Sequence, residues 1–133
     1  MTGALVGTDS IVWVDSVDPA TAVAVAGSKM GRLTELHRAG VQVPQGFAVT
    51  VEAYRRHCAE SGLDERIDQV LSGLGSSPAE HEVEQASATI RGLFSETPMA
   101  AALEAEIVAA YEELADRVVE VNPPTAVRSS ATG

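Results

Sequence analysis

Short apolar runs spaced along the chain predict strands, and the long region between the last two of them is helical in pattern. Runs of β-branched and aromatic residues bounded by turn-forming residues predict strands at residues 11–14, 47–49 and 125–127. Residues 22–26 form a further small apolar segment, which follows a predicted turn over residues 15–21 and ends at Gly27. The pattern therefore combines a small sheet with a larger helical part.

Capping and stop signals divide the helical part into several predicted helices. They begin at Ser28, Thr50, Leu63, Ser77 and Thr97, and the first two end near Gly40 and Glu60. Ser77-Pro78-Ala79-Glu80 has the signature of a capping box, and Asn122-Pro123-Pro124 ends the helical region. The positions predicted to face a core include Leu33, Leu36 and Ala39, then Val83, Ala86, Ile90 and Leu93, and finally Leu103, Ile107, Ala110, Tyr111, Leu114 and Val118.

Composition indicates a globular protein whose charge excludes some partners. The chain has 133 residues, 45% of them apolar, which is enough to bury a core. Its 19 acidic and 9 basic residues argue against nucleic acid and against an anionic membrane as partners. One cysteine, Cys58, excludes an internal disulfide and fits a reducing cytosol, and we find no secretory signal pattern, so we expect a cytoplasmic protein. His37, His57 and His81 are scattered, so we expect no metal site in this chain.

Two positively charged residues, each beside small polar residues, are the candidate functional groups of the chain. The only lysine, Lys29, follows Gly27 and Ser28 where an apolar run gives way to a helical pattern, and helix N-termini favour anions. Arg128, followed by two serines, comes after another apolar run, so the two runs could be neighbouring strands of one sheet. A mobile ammonium and a rigid guanidinium fork together suit a polyphosphate. From the residues alone, a salt bridge to a carboxylate explains Arg128 equally well.

Several blocks of the sequence resemble a known enzyme family. They are residues 27–36 (GSKMGRLTEL), residues 40–50 (GVQVPQGFAVT) with Ala53-Tyr54, and residues 126–132 (AVRSSAT). In this order they resemble the N-terminal ATP-binding domain shared by phosphoenolpyruvate synthase (pyruvate, water dikinase), pyruvate phosphate dikinase and rifampin phosphotransferase. The resemblance extends over about residues 11–133, and its specificity comes from the order of the blocks.

The resemblance implies an α+β (α/β) fold, namely the N-terminal subdomain of an ATP-grasp-like domain. It implies a short mixed sheet with a helix-rich insertion over about residues 51–120. In this family ATP lies between two subdomains, and its β-phosphoryl group passes to a histidine on a swivelling domain, which phosphorylates pyruvate or another acceptor. Residues 1–133 would then be a single partial domain without the second ATP-binding subdomain, the magnesium ligands, the histidine domain and the acceptor domain.

The resemblance also assigns roles to the two cations. By position, Lys29 matches the family's glycine-flanked lysine and Arg128 matches the arginine of its Val-Arg-Ser-Ser motif. Both are implied to contact ATP phosphates, with Arg128 stabilising charge during phosphoryl transfer. The further ATP-binding residues implied are Gly27, Ser28, Ser129 and Ser130. Where the family usually has Gly-Gly-Lys-Gly-Ala-Asn-Leu, this chain has Ser28, Met30 and Gly31-Arg32 in place of the second and third glycines and of Ala-Asn.

Two function hypotheses follow, and they belong to different classes. In the first, the chain is the ATP-binding part of a phosphoenolpyruvate synthase-like phosphotransferase, or of a rifampin-modifying relative, and is inactive alone. Its partners are then ATP with Mg²⁺, whose ligands lie outside this chain, and the remaining domains of the enzyme. In the second, the chain is a truncated, non-catalytic module for nucleotide sensing or protein contact. None of the three histidines matches the phospho-acceptor motif.

Overall fold

A computed structural model describes residues 10–130, which form two strands and six helices. In chain order the elements are β1 (Ile11–Trp13), α1 (Pro19–Ala26), α2 (Ser28–Arg38), β2 (Phe47–Val49), α3 (Val51–Glu60), α4 (Leu63–Ser72), α5 (Glu80–Glu96) and α6 (Ala101–Val118). The described residues divide into two compact units, one of residues 10–54 with 101–130 and one of residues 55–100.

The sheet of the described residues is one antiparallel pair. Ile11 lies opposite Val49 and Trp13 lies opposite Phe47, and the rings of the latter two have centroids 5.2 Å apart. The strands predicted at residues 11–14 and 47–49 are therefore confirmed. The prediction of a mixed sheet is wrong for the described residues, because these two strands run antiparallel and no parallel neighbour joins them there.

Two apolar runs predicted to be neighbouring strands have other structures. Residues 22–26 belong to α1, which begins earlier, since Pro19 occupies its first turn and the Asp18 carboxylate accepts the Thr21 N–H. Hydrogen bonds from Thr21, chiefly from its hydroxyl, lower the pKa of Asp18. Residues 125–127 form neither strand nor helix, and Val127 is 92% exposed. A β-branched run becomes a strand only where a partner strand and a packing surface are available.

The core of the first unit lies between the strand pair and the two helices α1 and α2. Its buried side chains are Val12, Val14, Ala22, Ala26 and Met30. On α2 the buried residues are Met30, Gly31 and Thr34, whereas Leu33 is exposed, so the predicted core face of this helix was wrong. The Thr34 hydroxyl donates to the Val14 carbonyl, which gives this buried polar group a partner on the strand side.

The helical unit has its own small core, made of Cys58, Leu63 and Leu93 with Ile67, Val70 and Phe94 packed around them. Helix α4 begins at Leu63 as predicted, whereas the next helix start differs from the predicted one. Helix α5 begins at Glu80 and not at the predicted capping box, because Ala79 is the N-cap and donates its N–H to the Glu82 carboxylate. Val83 is exposed although it was predicted to face the core, while Ala86 and Leu93 are buried as predicted.

Helix α6 also begins later than predicted. Thr97 does not start it, because its hydroxyl donates to the Leu93 carbonyl and it caps the C-terminus of α5. Ala110 and Leu114 are the buried residues of α6. The helix ends in a Schellman arrangement, in which Glu120 N–H donates to Ala115 and Val119 N–H donates to Asp116.

Candidate functional site

The first part of the site is the junction between α1 and α2, which Gly27 makes. Gly27 has φ of 91°, a region that residues with a Cβ rarely occupy, and its N–H donates to the Val23 carbonyl at 3.0 Å. It is the N-cap of α2 and supplies no side-chain cap, so the first amides of α2 have no capping side chain. This is the local arrangement in which a helix N-terminus accommodates an anion.

Ser28 and Lys29 are the first two residues of α2 and both are exposed, whereas Met30 is 6% exposed and belongs to the core. Ser28 and Met30, which stand in place of the glycines that the resemblance implies, both lie in the regular helix and need no positive φ. The only residue of the motif with a positive φ is Gly27, which the chain retains. Both substitutions therefore leave the backbone conformation of this motif intact.

Gly31 has a packing role in the same motif. A Cβ placed on Gly31 would collide with Cγ2 of Val23 and would lie 3.5 Å from the Pro19 carbonyl oxygen. The absence of a side chain at this position thus allows α1 and α2 to approach closely, which fixes the direction in which α2 presents Lys29.

The two predicted cationic segments meet in the structure. The Lys29 ammonium Nζ donates to the Ser129 carbonyl oxygen at 3.1 Å, across 100 residues of sequence. Arg128 and Ser130 flank that carbonyl and are exposed. Among residues 10–130, no carboxylate forms an ion pair with Arg128, so the salt-bridge explanation of this residue gains no support from the described part of the chain.

The residues on either side of these contacts complete the predicted set. Gly27 and Ser28 lie directly before Lys29, and Ser130 follows Ser129, so the structure brings together the backbone segments of all six predicted residues. The contact is made to the backbone of Ser129, next to Arg128, and Arg128 itself is exposed. Ala131 and Thr132, which belong to the same sequence block, lie outside the described residues.

A second cluster, which sequence reasoning missed, surrounds Arg117 on α6. Its guanidinium carbon lies 3.8 Å from the centroid of the Trp13 ring. Its Nε donates to Glu113 at 3.0 Å, and Nη1 donates to Asp15 at 3.2 Å and to Gln45 at 3.3 Å. The hydrogen bond to Glu113, followed by that to Asp15, raises the pKa of Arg117 above its ordinary value. The cluster joins the end of α6 to β1 and to the loop before β2.

Nothing in the sequence could have singled out this cluster, because its members are scattered over about a hundred positions. Only the i, i+4 spacing of Glu113 and Arg117 is visible as a local signal, and such pairs are common on exposed helices. The partners on β1 and before β2 become neighbours only after the unit folds.

The concave surfaces of the helical unit do not contain the predicted residues. One open depression of about 510 Å³ is lined by residues 59–62, 64 and 65, and the carboxylates of Glu60, Asp64 and Glu65 would repel an anion. Within residues 10–130, no three His, Cys, Asp or Glu side chains come together in a way that could hold a metal ion. Within the same residues, no helix has the length and apolar character needed to cross a bilayer.

Comparison with known proteins decides the family. The sequence profile of the family described as "Pyruvate phosphate dikinase, AMP/ATP-binding domain" matches residues 23–133. The chain belongs to this family. Its profile covers every residue of the candidate site, from Gly27 to Ser130.

Several similar curated proteins are called phosphoenolpyruvate synthase. The chain is 42% identical to that of Aeropyrum pernix over 122 residues, which is 92% of this chain and 15% of the relative. It is 34% identical to that of Neisseria meningitidis over 125 residues, 92% of this chain and 16% of the relative. It is 36% identical to that of Escherichia coli over 100 residues, 75% of this chain and 12% of the relative. This member of the dikinase ATP-binding family thus spans only a small part of the length of these relatives.

Proposed function

We propose that this chain is the ATP-binding part of a phosphoenolpyruvate synthase-type phosphotransferase, in which Lys29 and Arg128 hold the phosphates of ATP. The observation that carries the proposal is the 3.1 Å contact between Lys29 Nζ and the Ser129 carbonyl, which brings both cationic segments to one place. Family membership supports the choice of nucleotide, since the matching family is described as an AMP/ATP-binding domain.

The chemistry of the two cations suits phosphate. The Lys29 ammonium has three N–H donors, so the bond to Ser129 leaves two for phosphate oxygens. The Arg128 guanidinium adds a planar fork that can bind a phosphate through two parallel bonds. Around them, the uncapped amides of α2 and the hydroxyls of Ser28, Ser129 and Ser130 supply neutral donors. Because the chain has a net charge of -10, the attraction for ATP must come from this local arrangement.

The wider reaction is part of the same proposal. An ATP-grasp-like domain completed by a second subdomain would enclose ATP, and the β-phosphoryl group would pass to a histidine on a swivelling domain. Arg128 would stabilise the charge that develops during transfer. Mg²⁺ would bind with ATP, and its protein ligands would lie outside the described residues. The names of the relatives support the synthase branch over the rifampin-modifying branch. In this proposal the chain alone binds ATP weakly and turns nothing over.

Calorimetric titration of the 133-residue chain with ATP and Mg²⁺ tests the two cations. Lys29→Ala and Arg128→Ala each remove a charged hydrogen bond, worth about 1.5–3 kcal/mol, and should weaken ATP binding by roughly 10- to 150-fold. Arg32→Ala is the matched control, because it removes one exposed positive charge from the same helix one residue beyond Gly31. In a protein that also carries the histidine domain, the same variants should lower phosphohistidine formation.

Two results would contradict the proposal. Equal weakening by Arg32→Ala and Lys29→Ala would mean that ATP responds only to the overall charge of the chain. Unchanged binding and unchanged phosphohistidine formation in both Lys29→Ala and Arg128→Ala would exclude the proposed phosphate contacts.

A further inference from the structure

Arg128 lies on a segment with little packing of its own. Residues 119–130 follow the end of α6 and form neither helix nor strand. Val119, Val121 and Val127 are 87%, 91% and 92% exposed, so these apolar side chains do not hold the segment in place. Pro123 is the one residue of the segment that is buried. The position of Arg128 must therefore depend on a few specific contacts.

The contact at Pro123 comes from Tyr111 on α6. The Tyr111 hydroxyl donates to the Pro123 carbonyl oxygen at 2.8 Å, and the Tyr111 side chain is half-buried. Tyr111 lies two turns before Val118, the last residue of α6, about 10 Å away along the helix axis. The segment must therefore turn back along α6 to reach the hydroxyl. The two non-glycine residues with positive φ among residues 10–130, Val119 at 56° and Asn122 at 49°, lie in that turn.

The second contact is the one made by Lys29. Pro123 is held by Tyr111 and Ser129 is held by Lys29, so residues 124–128 span two fixed carbonyl oxygens. The two contacts differ in whether their donor is also a proposed ligand of phosphate. Lys29 is also the proposed phosphate ligand, so its ammonium donates both to the Ser129 carbonyl and to phosphate oxygens. The Tyr111 hydroxyl belongs to no proposed ligand group, so its bond serves the segment alone.

We propose that Tyr111 is a positioning residue, whose hydroxyl fixes the Pro123 carbonyl and thereby holds Arg128 within reach of the phosphate bound at Lys29. The inference rests on the proposed function for its ligand, and on the geometry alone for the anchoring of the segment. Phenylalanine at position 111 keeps the half-buried ring and removes only the donor. The variant Tyr111→Phe therefore isolates the hydrogen bond from the packing of α6.

Limited trypsin digestion of the 133-residue chain tests the anchoring without ATP. Cleavage after Arg128 reports release of the segment, whereas cleavage after Arg32, inside α2, requires the unit itself to unfold. Tyr111→Phe should raise the rate after Arg128 about fivefold relative to the rate after Arg32, the factor that corresponds to losing a hydrogen bond of about 1 kcal/mol. A role in overall stability alone would raise both rates together, and that result would overturn the proposal.

Thr97→Val is the matched control, because it also removes a side-chain hydroxyl that donates to a backbone carbonyl, in this case that of Leu93 in the helical unit. It should leave the ratio of the two cleavage rates unchanged. An equal effect of Thr97→Val and Tyr111→Phe on that ratio would overturn the specific role of Tyr111.

The same digestion with ATP present tests whether the hydrogen bond from Tyr111 contributes to nucleotide binding. In the wild-type chain, ATP with Mg²⁺ should slow cleavage after Arg128, and Tyr111→Phe should raise the ATP concentration needed for half protection about fivefold. Equal ATP concentrations for the two proteins would overturn the role of Tyr111 in binding. Absence of protection in the wild type would instead count against the proposed function, and the ATP-free cleavage ratio would still decide whether Tyr111 anchors the segment.

Discussion

Replacing Arg117 with alanine should destabilise the unit that carries the candidate site. The change removes the guanidinium that lies 3.8 Å from the Trp13 ring centroid and ends its bonds to Asp15, Glu113 and Gln45. The Arg117 side chain is 28% exposed, so both ion pairs are partly screened by solvent. A partly exposed cation–π contact contributes about 0.5–1 kcal/mol, and two surface ion pairs add a similar amount. The expected loss is about 1–2 kcal/mol.

Urea unfolding followed by tryptophan fluorescence measures this loss directly. Trp13 is the only tryptophan and lies beneath the guanidinium, so its emission reports the unit that contains Arg117. For a small protein whose free energy of unfolding falls by roughly 1–2 kcal/mol per molar urea, the midpoint should decrease by about 1 M. Arg117→Lys keeps the charge but loses the planar fork and the stacking, so its midpoint should fall between those of the wild type and Arg117→Ala.

Arg91→Ala is the control for removing an exposed arginine from a helix, since Arg91 donates only to the Ser87 hydroxyl among the described residues. It should change the free energy of unfolding by less than about 0.5 kcal/mol. Equal midpoints for Arg117→Ala and Arg91→Ala would refute the reasoning. A midpoint for Arg117→Lys equal to that of the wild type would show that the stacked fork contributes nothing beyond its charge.

Two further substitutions test the backbone on either side of the site. Val119→Gly should stabilise the chain by about 1 kcal/mol. The β-branched Val119 is 87% exposed and has φ of 56°, at a position where helix ends favour glycine. A urea midpoint at or below that of the wild type would contradict this. Gly31→Ala should destabilise, because overpacking against Val23 costs about 1–3 kcal/mol and exceeds the gain of about 1 kcal/mol in helix propensity. In a Val23→Ala background the sign should reverse, and a double-mutant cycle without that reversal would exclude the contact with Val23 as the cause.

Local signals predicted those elements whose ends are determined by nearby residues. Helix α2 begins at Ser28 and ends near Gly40, and α3 begins after Thr50, whose hydroxyl accepts the Ala53 N–H. The start of α5 was placed at the wrong residue because Ser77 and Pro78 resemble a cap, whereas the Glu82 carboxylate selects Ala79. Thr97 likewise resembles a cap for α6 and instead closes α5. Where two caps compete, the sequence alone does not decide between them.

The strand prediction at residues 125–127 failed for a different reason. Its β-branched and small residues fit a strand, but strand formation depends on a neighbouring backbone, and the sheet of the described residues consists of β1 and β2 alone. Residues 22–26 had a similar composition and became helical because Asp18 and Pro19 begin a helix just before them. The same apolar pattern thus led to two different structures, neither of which was the predicted one.

The contacts that arrange the candidate site explain why the sequence revealed its cations and not its geometry. Lys29 and Arg128 are visible because their side chains are rare or occur beside small polar residues. The acceptors that bring these segments into place are the backbone carbonyl oxygens of Ser129 and Pro123, a group that every residue supplies. Substituting either acceptor residue leaves its carbonyl present, whereas substituting the donor Tyr111 or Lys29 removes the bond. Substitution of a donor, and not of an acceptor residue, therefore removes the hydrogen bonds that bring the two cationic segments together.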